Sequence, residues 1–248
     1  MKLSDAKFII TGAAKGMGRF FAEAAHEAGA AVFAGDIDTA GLATLPEAIG
    51  RAPLDVTCSD SRNAFMQSAA QFMDGITVLI NNAGILQDAL LVRKDRKTGE
   101  ISVLEESSWN KVLDVNLTGA TMMVRDTVEH MLSHPTDEGV IVNMSSISRY
   151  GNRGQSNYVA AKAALAANTV TWAREFAPFN IRVGSIAPGM IETPMTDGMS
   201  DRAREAAVGA VPLKRIGQPE EIWRGIQFIV ECTYFTGSTI DIHGGLTF

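Results

Sequence analysis

Cysteine is nearly absent from this chain: Cys58 and Cys232 are the only two in 248 residues. No disulfide framework can be built from so few, and both read as ordinary thiols. Long hydrophobic runs are missing too. Nothing approaches the roughly 20 apolar residues that a bilayer-crossing helix requires, and the opening MKLSDAKFIITG has no long apolar stretch with a cleavage site. The expectation is a cytoplasmic protein with no membrane partner. Nor is there an excess of positive charge. The chain carries 22 Lys and Arg against 28 Asp and Glu, for a formal charge of −6. The two signs are interspersed, which leaves no electrostatic footprint for nucleic acid. Of only four histidines, His130 and His134 are spaced to share a helix face, but no third ligand accompanies them. They read as a solvated last helical turn, and no metal site is expected.

What is present is apolar bulk, 46% of the residues, enough for a large core and for a single domain over 1–248. Short β-branched runs alternate with longer amphipathic segments, the pattern of repeated βα units on a parallel sheet. Strands are predicted at 7–11, 30–36, 51–56, 76–82, 139–145, 181–187 and 237–242. Helices are predicted near 16–29, 38–49, 60–74, 105–134, 155–177, 196–208 and 218–231, with Asp60, Ser107 or Ser108, and Thr196 as N-caps. The fold class is therefore α/β, a doubly wound sheet of seven mostly parallel strands with helices on both faces. One segment interrupts the rhythm. The charged stretch VRKDRKTGEISVL, 92–104, reads as a solvated surface hairpin turning at Thr98-Gly99.

The first predicted strand runs into TGAAKGMG and then directly into a helical pattern. Gly12, Gly16 and Gly18 would let the backbone turn sharply and approach a pyrophosphate, whose charge the helix N-terminus favours. About 20 residues on, Asp36 ends the second strand, where a carboxylate accepts hydrogen bonds from adenosine ribose hydroxyls. That carboxylate would repel the 2′-phosphate of NADP. NAD is the preferred cofactor, although Lys15, a cation inside the glycine turn, argues for NADP, the second choice. Further along, SNYVAAKAAL puts Tyr158 and Lys162 one helical turn apart on the same face. A free phenol has a pKa near 10, so ionising it at neutral pH takes about three units, or about 4 kcal/mol. Lys162 is expected to supply part of that stabilisation, and an oxidised nicotinamide more.

Taken in order, TGAAKGMG (11–18), NNAG (81–84), Asn116 in DVNLTG, Ser145-Ser146, YVAAK (158–162) and PGMIET (188–193) resemble the short-chain dehydrogenase/reductase family over essentially the whole chain. The resemblance implies a Rossmann-type fold in which Tyr158 is the general acid/base, Lys162 assists it, and Asn116 completes a proton relay. The substrate oxygen would be bound by Ser145 or Ser146. Alignment along the strand favours Ser146, because a loop loses a residue more readily than a buried strand does. It also implies cofactor contacts beyond Gly12, Lys15, Gly16, Met17, Gly18 and Asp36. Asp55 and Val56 would flank the adenine, and Asn82, Ala83 and Gly84 would line its ribose. Pro188 and Gly189 would lead into Ile191 and Thr193, which hold the carboxamide.

The reaction so implied interconverts a secondary alcohol and a ketone. The overall look is that of 3-oxoacyl reductases and carbonyl reductases. Relatives that meet an acidic carrier display cations just before the fifth strand and after the next helix. Here those places read HPTDEG and FAPFN, which favours a free or CoA-linked substrate, with a 3-oxoacyl-thioester reductase as the alternative. Arg149 and Arg153 could meet an acidic substrate, and Met190, Met195 and Met199 an apolar one. A non-catalytic NAD sensor or scaffold is the alternative of another class. The resemblance further implies a homotetramer packed through 105–134, 155–177 and the last strand.

Overall fold

The computed structural model describes residues 1–134, 136–193, 198 and 200–247. Seven strands form one parallel sheet: β1 (Lys7–Thr11), β2 (Ala31–Asp36), β3 (Gly50–Pro53), β4 (Val78–Asn81), β7 (Gly139–Met144), β8 (Ile181–Pro188) and β9 (Ser238–Ile242). Their order across the sheet is β3-β2-β1-β4-β7-β8-β9. The chain winds outward from β1 to one edge, then returns to β4 and winds to the other. That reversal beside β1 and β4 opens a crevice at the carboxyl ends of the strands.

Alternation along each strand sends side chains to opposite faces, and both faces are covered. Phe8 and Ile10 join Phe21 of α1 (Gly16–Glu27) and Trp223 and Ile226 of α8 (Pro219–Glu231) in one core. Ile9 points the other way, into a second core with Phe65 of α3 (Ser59–Met73), Met123 of α5 (Ala120–Ser133) and Leu165 of α6 (Ser156–Phe176). All of these but Trp223 are fully buried. Burying each such side chain stabilises the fold by about 1.5–3 kcal/mol.

Departures from the predicted elements have local causes. The helix expected over 38–49 is only Thr39–Ala43, α2. Pro46 interrupts it, and the Arg51 guanidinium takes over the carbonyls of Leu42, Leu45 and Pro46. The strand expected over 51–56 stops at Pro53, and its remainder turns toward the crevice. α3 starts after Cys58, so Asp60 lies in its first turn instead of capping it. Likewise Glu105, not Ser107 or Ser108, is the N-cap of α4 (Glu106–Leu113). The helix expected over 105–134 is interrupted by a π-helical turn at Asp114–Gly119 before it continues as α5. α7 is described over Asp201–Ala210, and Thr196, Met195 and Met199 lie outside the described residues.

The charged segment forms the expected hairpin. β5 (Val92–Lys94) pairs antiparallel with β6 (Ile101–Val103), and the turn between them places Gly99 at φ +74°. Its Val92, Ile101 and Val103 are exposed. Both cysteines are free thiols, as read from their scarcity. Among the described residues no helix is long and apolar enough to cross a membrane, and no cluster of three metal-ligating side chains exists.

Candidate active site

A cleft of about 780 Å³ follows the crevice at the strand ends. At one end β1 turns into α1. Gly12 and Gly16 lie at φ +69° and +57°, the left-handed region that suits glycine. Gly18 is fixed by space: a Cβ there would meet the Gly12 carbonyl oxygen at 2.1 Å. No side chain caps the start of α1, which leaves its first-turn N–H groups facing the cleft, as an anion requires. The loop is tied down from β4: Asn82 Nδ2 donates to the carbonyls of Thr11 and Gly12. Thr11 Oγ1 in turn accepts from the Asn82 and Ala83 amides.

Asp36 stands where expected on the cleft wall. Its carboxylate accepts from the amides of Ala14 (2.9 Å) and Asp38 (3.0 Å), which fixes its direction. Ile37 beside it is 74% exposed. Asp55 and Val56 also line the cleft. Beneath them lies a feature that sequence reasoning missed, the buried pair Arg62–Asp126. Arg62 Nε donates to Asp126 Oδ2 (2.9 Å), and Nη1 to the Val56 carbonyl (2.8 Å). A basic residue at a buried position on the apolar face of α3, matched by an acid on the apolar face of α5, was the available signal. These donors, the glycine-made space and the carboxylate fit a nicotinamide dinucleotide.

At the other end of the cleft, α6 carries Tyr158 and Lys162. The Lys162 Nζ is 5.5 Å from the centre of the Tyr158 ring and donates to the Met144 carbonyl at 2.6 Å. Burial pushes the Lys162 pKa down to about 8. Burial likewise pushes Tyr158 up to about 12, against a lowering by the Ser146 hydroxyl and with a further rise from the Asp88 carboxylate. Among the protein's own groups desolvation sets the phenol's direction, and the ammonium expected to acidify it is engaged by a backbone carbonyl.

The two serines divide cleanly. Ser145 Oγ donates to the Lys162 backbone carbonyl (2.8 Å). Ser146 lies against the phenol and accepts from the Ser148 amide. Asn116 is fully buried in the π-helical turn, where an extra residue in the turn re-aims side chains. Its Oδ1 accepts from the Ile85 amide (2.8 Å), and its Nδ2 donates to the Ile85 carbonyl (2.9 Å). Gly84 packs between it and Lys162: a Cβ there would be 3.4 Å from Asn116 Oδ1 and 3.7 Å from Lys162 Nζ.

The structure thus brings Gly12, Lys15, Gly16, Met17, Gly18, Asp36, Asp55, Val56, Asn82, Ala83, Gly84, Tyr158, Lys162 and Thr193 to one cleft. Ser146, Asn116, Pro188, Gly189 and Ile191 are not on its lining, whereas Ser145 is; Ile191 instead faces a smaller cavity of about 280 Å³ with Arg215 and His243. Arg149 pairs with Asp241. His130 and His134 stack at the end of α5. Sequence reasoning also missed Gln155, Asp88 and Asn157, which buttress the catalytic end through hydrogen bonds that no short motif announces.

A doubly wound sheet with a glycine turn at one end of its cleft and a Tyr-Lys-Ser-Asn group at the other defines a dinucleotide-dependent oxidoreductase. The chain belongs to the short-chain dehydrogenase/reductase family and is an oxidoreductase acting on CH–OH groups. A family model described as Enoyl-(Acyl carrier protein) reductase matches residues 12–247. The chain is 41% identical to the 3-oxoacyl-[acyl-carrier-protein] reductase FabG of Thermotoga maritima, covering 99% of each chain. It is 34% identical to the nodulation protein G of Rhizobium sp., covering 99% of this chain and 98% of the other. It is also 34% identical to the FabG of Vibrio harveyi, over 99% of both.

Proposed function

We propose that the protein reduces the 3-oxo group of an acyl thioester to the secondary alcohol, using NADH. Tyr158 and Lys162 on the cleft lining, with Ser146 against the phenol and Asn116 behind Gly84, carry this reading, and the FabG relatives supply the substrate class. The nicotinamide, when bound, supplies the hydride. Tyr158 gives its proton to the carbonyl oxygen, and Ser146 donates a hydrogen bond to the oxygen as charge develops there. A phenol held protonated by burial suits the reducing direction. Lys162 and Asn116 restore the proton to Tyr158 and hold the loop at Ile85 in place. At the far end Asp36 accepts from the ribose hydroxyls, and its fixed carboxylate opposes a 2′-phosphate.

A free or CoA-linked ketone is a second reading. The segment before β7, HPTDEG, holds no cation beyond His134, and its Glu138 is paired with Arg182 and the N-terminal ammonium. The turn after α6 presents Phe179 to solvent. Self-association into a tetramer is supported by the exposed Val170 on α6, by Leu132 on α5 and by β9 as an uncovered sheet edge.

Steady-state assays with NADH and NADPH against acetoacetyl-CoA, acetoacetyl carrier protein and simple ketones test the proposal. NADH consumption with the thioesters is expected. Tight NAD binding without turnover of any substrate would make the chain a sensor instead.

A further inference from the structure

Three consecutive residues of the loop after β4 grip the segment that leads into Tyr158. The Gln87 carbonyl accepts from Asn157 Nδ2 (3.1 Å). Asp88 Oδ2 accepts from Gln155 Nε2 (2.8 Å). The Ala89 amide donates to the Gly154 carbonyl (2.9 Å). The grip continues inward. Gln155 Oε1 accepts from Ser148 Oγ (3.0 Å) and Asn152 Nδ2 (2.9 Å), and the Ser148 amide donates to Ser146 Oγ (3.1 Å). Asn157 Oδ1 meanwhile accepts from the Tyr158 amide at 2.8 Å. A chain of side-chain hydrogen bonds thus runs from Asp88 to the serine that faces the phenol.

We propose that Asp88, acting through Gln155, is a positioning residue that sets Ser146 and Tyr158 in register with the substrate carbonyl. This rests on the roles given to Tyr158 and Ser146 above. Asp88 also carries charge. Among the described residues, the charged groups nearest the phenol are the Lys162 ammonium on its own helix and the Asp88 carboxylate from the β4 loop; Ser146 from the β7 loop and Asn116 from the π-helical turn are neutral. The ammonium is directed to the Met144 carbonyl; burial is the main opponent of Tyr158 ionisation, and the Asp88 carboxylate adds to it. Asp88 is exposed, so solvent screens its field and the effect is modest.

Two substitutions separate the tie from the charge. Asp88→Asn keeps an oxygen that accepts from Gln155 and removes the charge. In the oxidation of 3-hydroxybutyryl-CoA with NAD, the apparent pKa of kcat should fall by roughly half a unit, with kcat for acetoacetyl-CoA reduction within about threefold of the parent. Asp88→Ala also breaks the tie, and kcat in reduction should fall about tenfold while the NADH dissociation constant, read by fluorescence, stays put. An unmoved pH profile in Asp88→Asn together with unchanged kcat in Asp88→Ala would overturn the proposal. So would losses that follow NADH affinity or melting temperature, since those mark a structural role. Tyr158→Phe, assayed in parallel, separates the two failures: if it retains turnover, the reading of the site itself is wrong, whatever Asp88 does.

Discussion

The two ends of the cleft are made from different materials. The adenosine end is backbone: glycines at positive φ, uncapped amides at the start of α1, and one carboxylate held by two further amides. The catalytic end is side chain: Tyr158 against the Ser146 hydroxyl, Lys162 on the Met144 carbonyl, Ser146 under the Ser148 amide, and Asn116 on the backbone of Ile85. Backbone geometry tolerates almost any neighbour but not a Cβ. Side-chain geometry tolerates a change of bulk at the rim, but not the loss of one polar atom. Damage at the first end should therefore appear in cofactor binding, and damage at the second in turnover of enzyme already bound.

The largest effect should come from Tyr158→Phe. Removing one oxygen takes away the proton donor, and kcat should fall about 10³-fold, with the NADH dissociation constant unchanged by fluorescence titration. The opposite signature belongs to Gly18→Ala. The new methyl group would lie 2.1 Å from the Gly12 oxygen and 2.5 Å from Asn82 Nδ2. The loop must shift, at a cost to stability of about 1–3 kcal/mol, and NADH affinity should weaken at least tenfold. A Gly18→Ala variant that bound NADH normally but turned over slowly would collapse the distinction between the two ends.

That distinction also decides what the sequence discloses. Backbone sites write themselves in glycines and in fixed spacing, so TGAAKGMG and Asp36 could be read before any coordinates, as could the order of strands that leads to them. Tyr158 and Lys162 were legible because one helical turn separates them. The rest of the catalytic end was not. Gln155, Asp88 and Asn157 are tied across 67 to 70 residues of chain, and no local period encodes such a bond. Choosing Ser146 over Ser145 took an argument about which segment loses residues; beyond the end of β7 Ser146 lies against the phenol while Ser145 lines the cleft. The shortened α2 was hidden differently: the long-range capping by Arg51 overrode local helix propensity. The burial that raises the phenol's pKa was hidden too, because sequence shows the neighbouring cation but not how deeply both groups are buried.

A change of cofactor should be available at the adenosine end alone. Asp36→Ser with Ile37→Arg removes the repelling carboxylate and adds a cation at an open position. The ratio of kcat/KM for NADPH over NADH should rise about 10- to 100-fold, while kcat at saturating cofactor changes little. A fall in kcat of the same size would mean that the two ends are not independent.

The catalytic end should announce itself in alkaline stability. Burial lowers the Lys162 pKa to about 8 from its usual 10.5, so between those values the unfolded chain binds the proton that the folded chain releases. Stability contributed by this group must then rise with pH across that window, by at most about 1.4 kcal/mol per unit. Below pH 8 both states hold the proton and the slope vanishes. Above 10.5 the raised Tyr158 pKa reverses the sign, because there the folded chain keeps a proton that the unfolded one gives up. Denaturant unfolding of Lys162→Met should show the 8 to 10.5 rise removed and the later fall retained.

The smallest effect is expected where neither kind of construction applies. The β5–β6 hairpin stands on the cleft rim between Leu86 and Ser107, which both line the cleft, yet its own Val92, Ile101 and Val103 face solvent. Side chains that are already in water contribute little on folding. Val92→Thr with Ile101→Thr should therefore change unfolding free energy by no more than about 0.5 kcal/mol and leave kcat with acetoacetyl-CoA where it was. A loss above that size in kcat alone, with stability and NADH affinity intact, would extend the catalytic end outward by one hairpin and move its boundary from the Asp88 grip to the exposed ribbon.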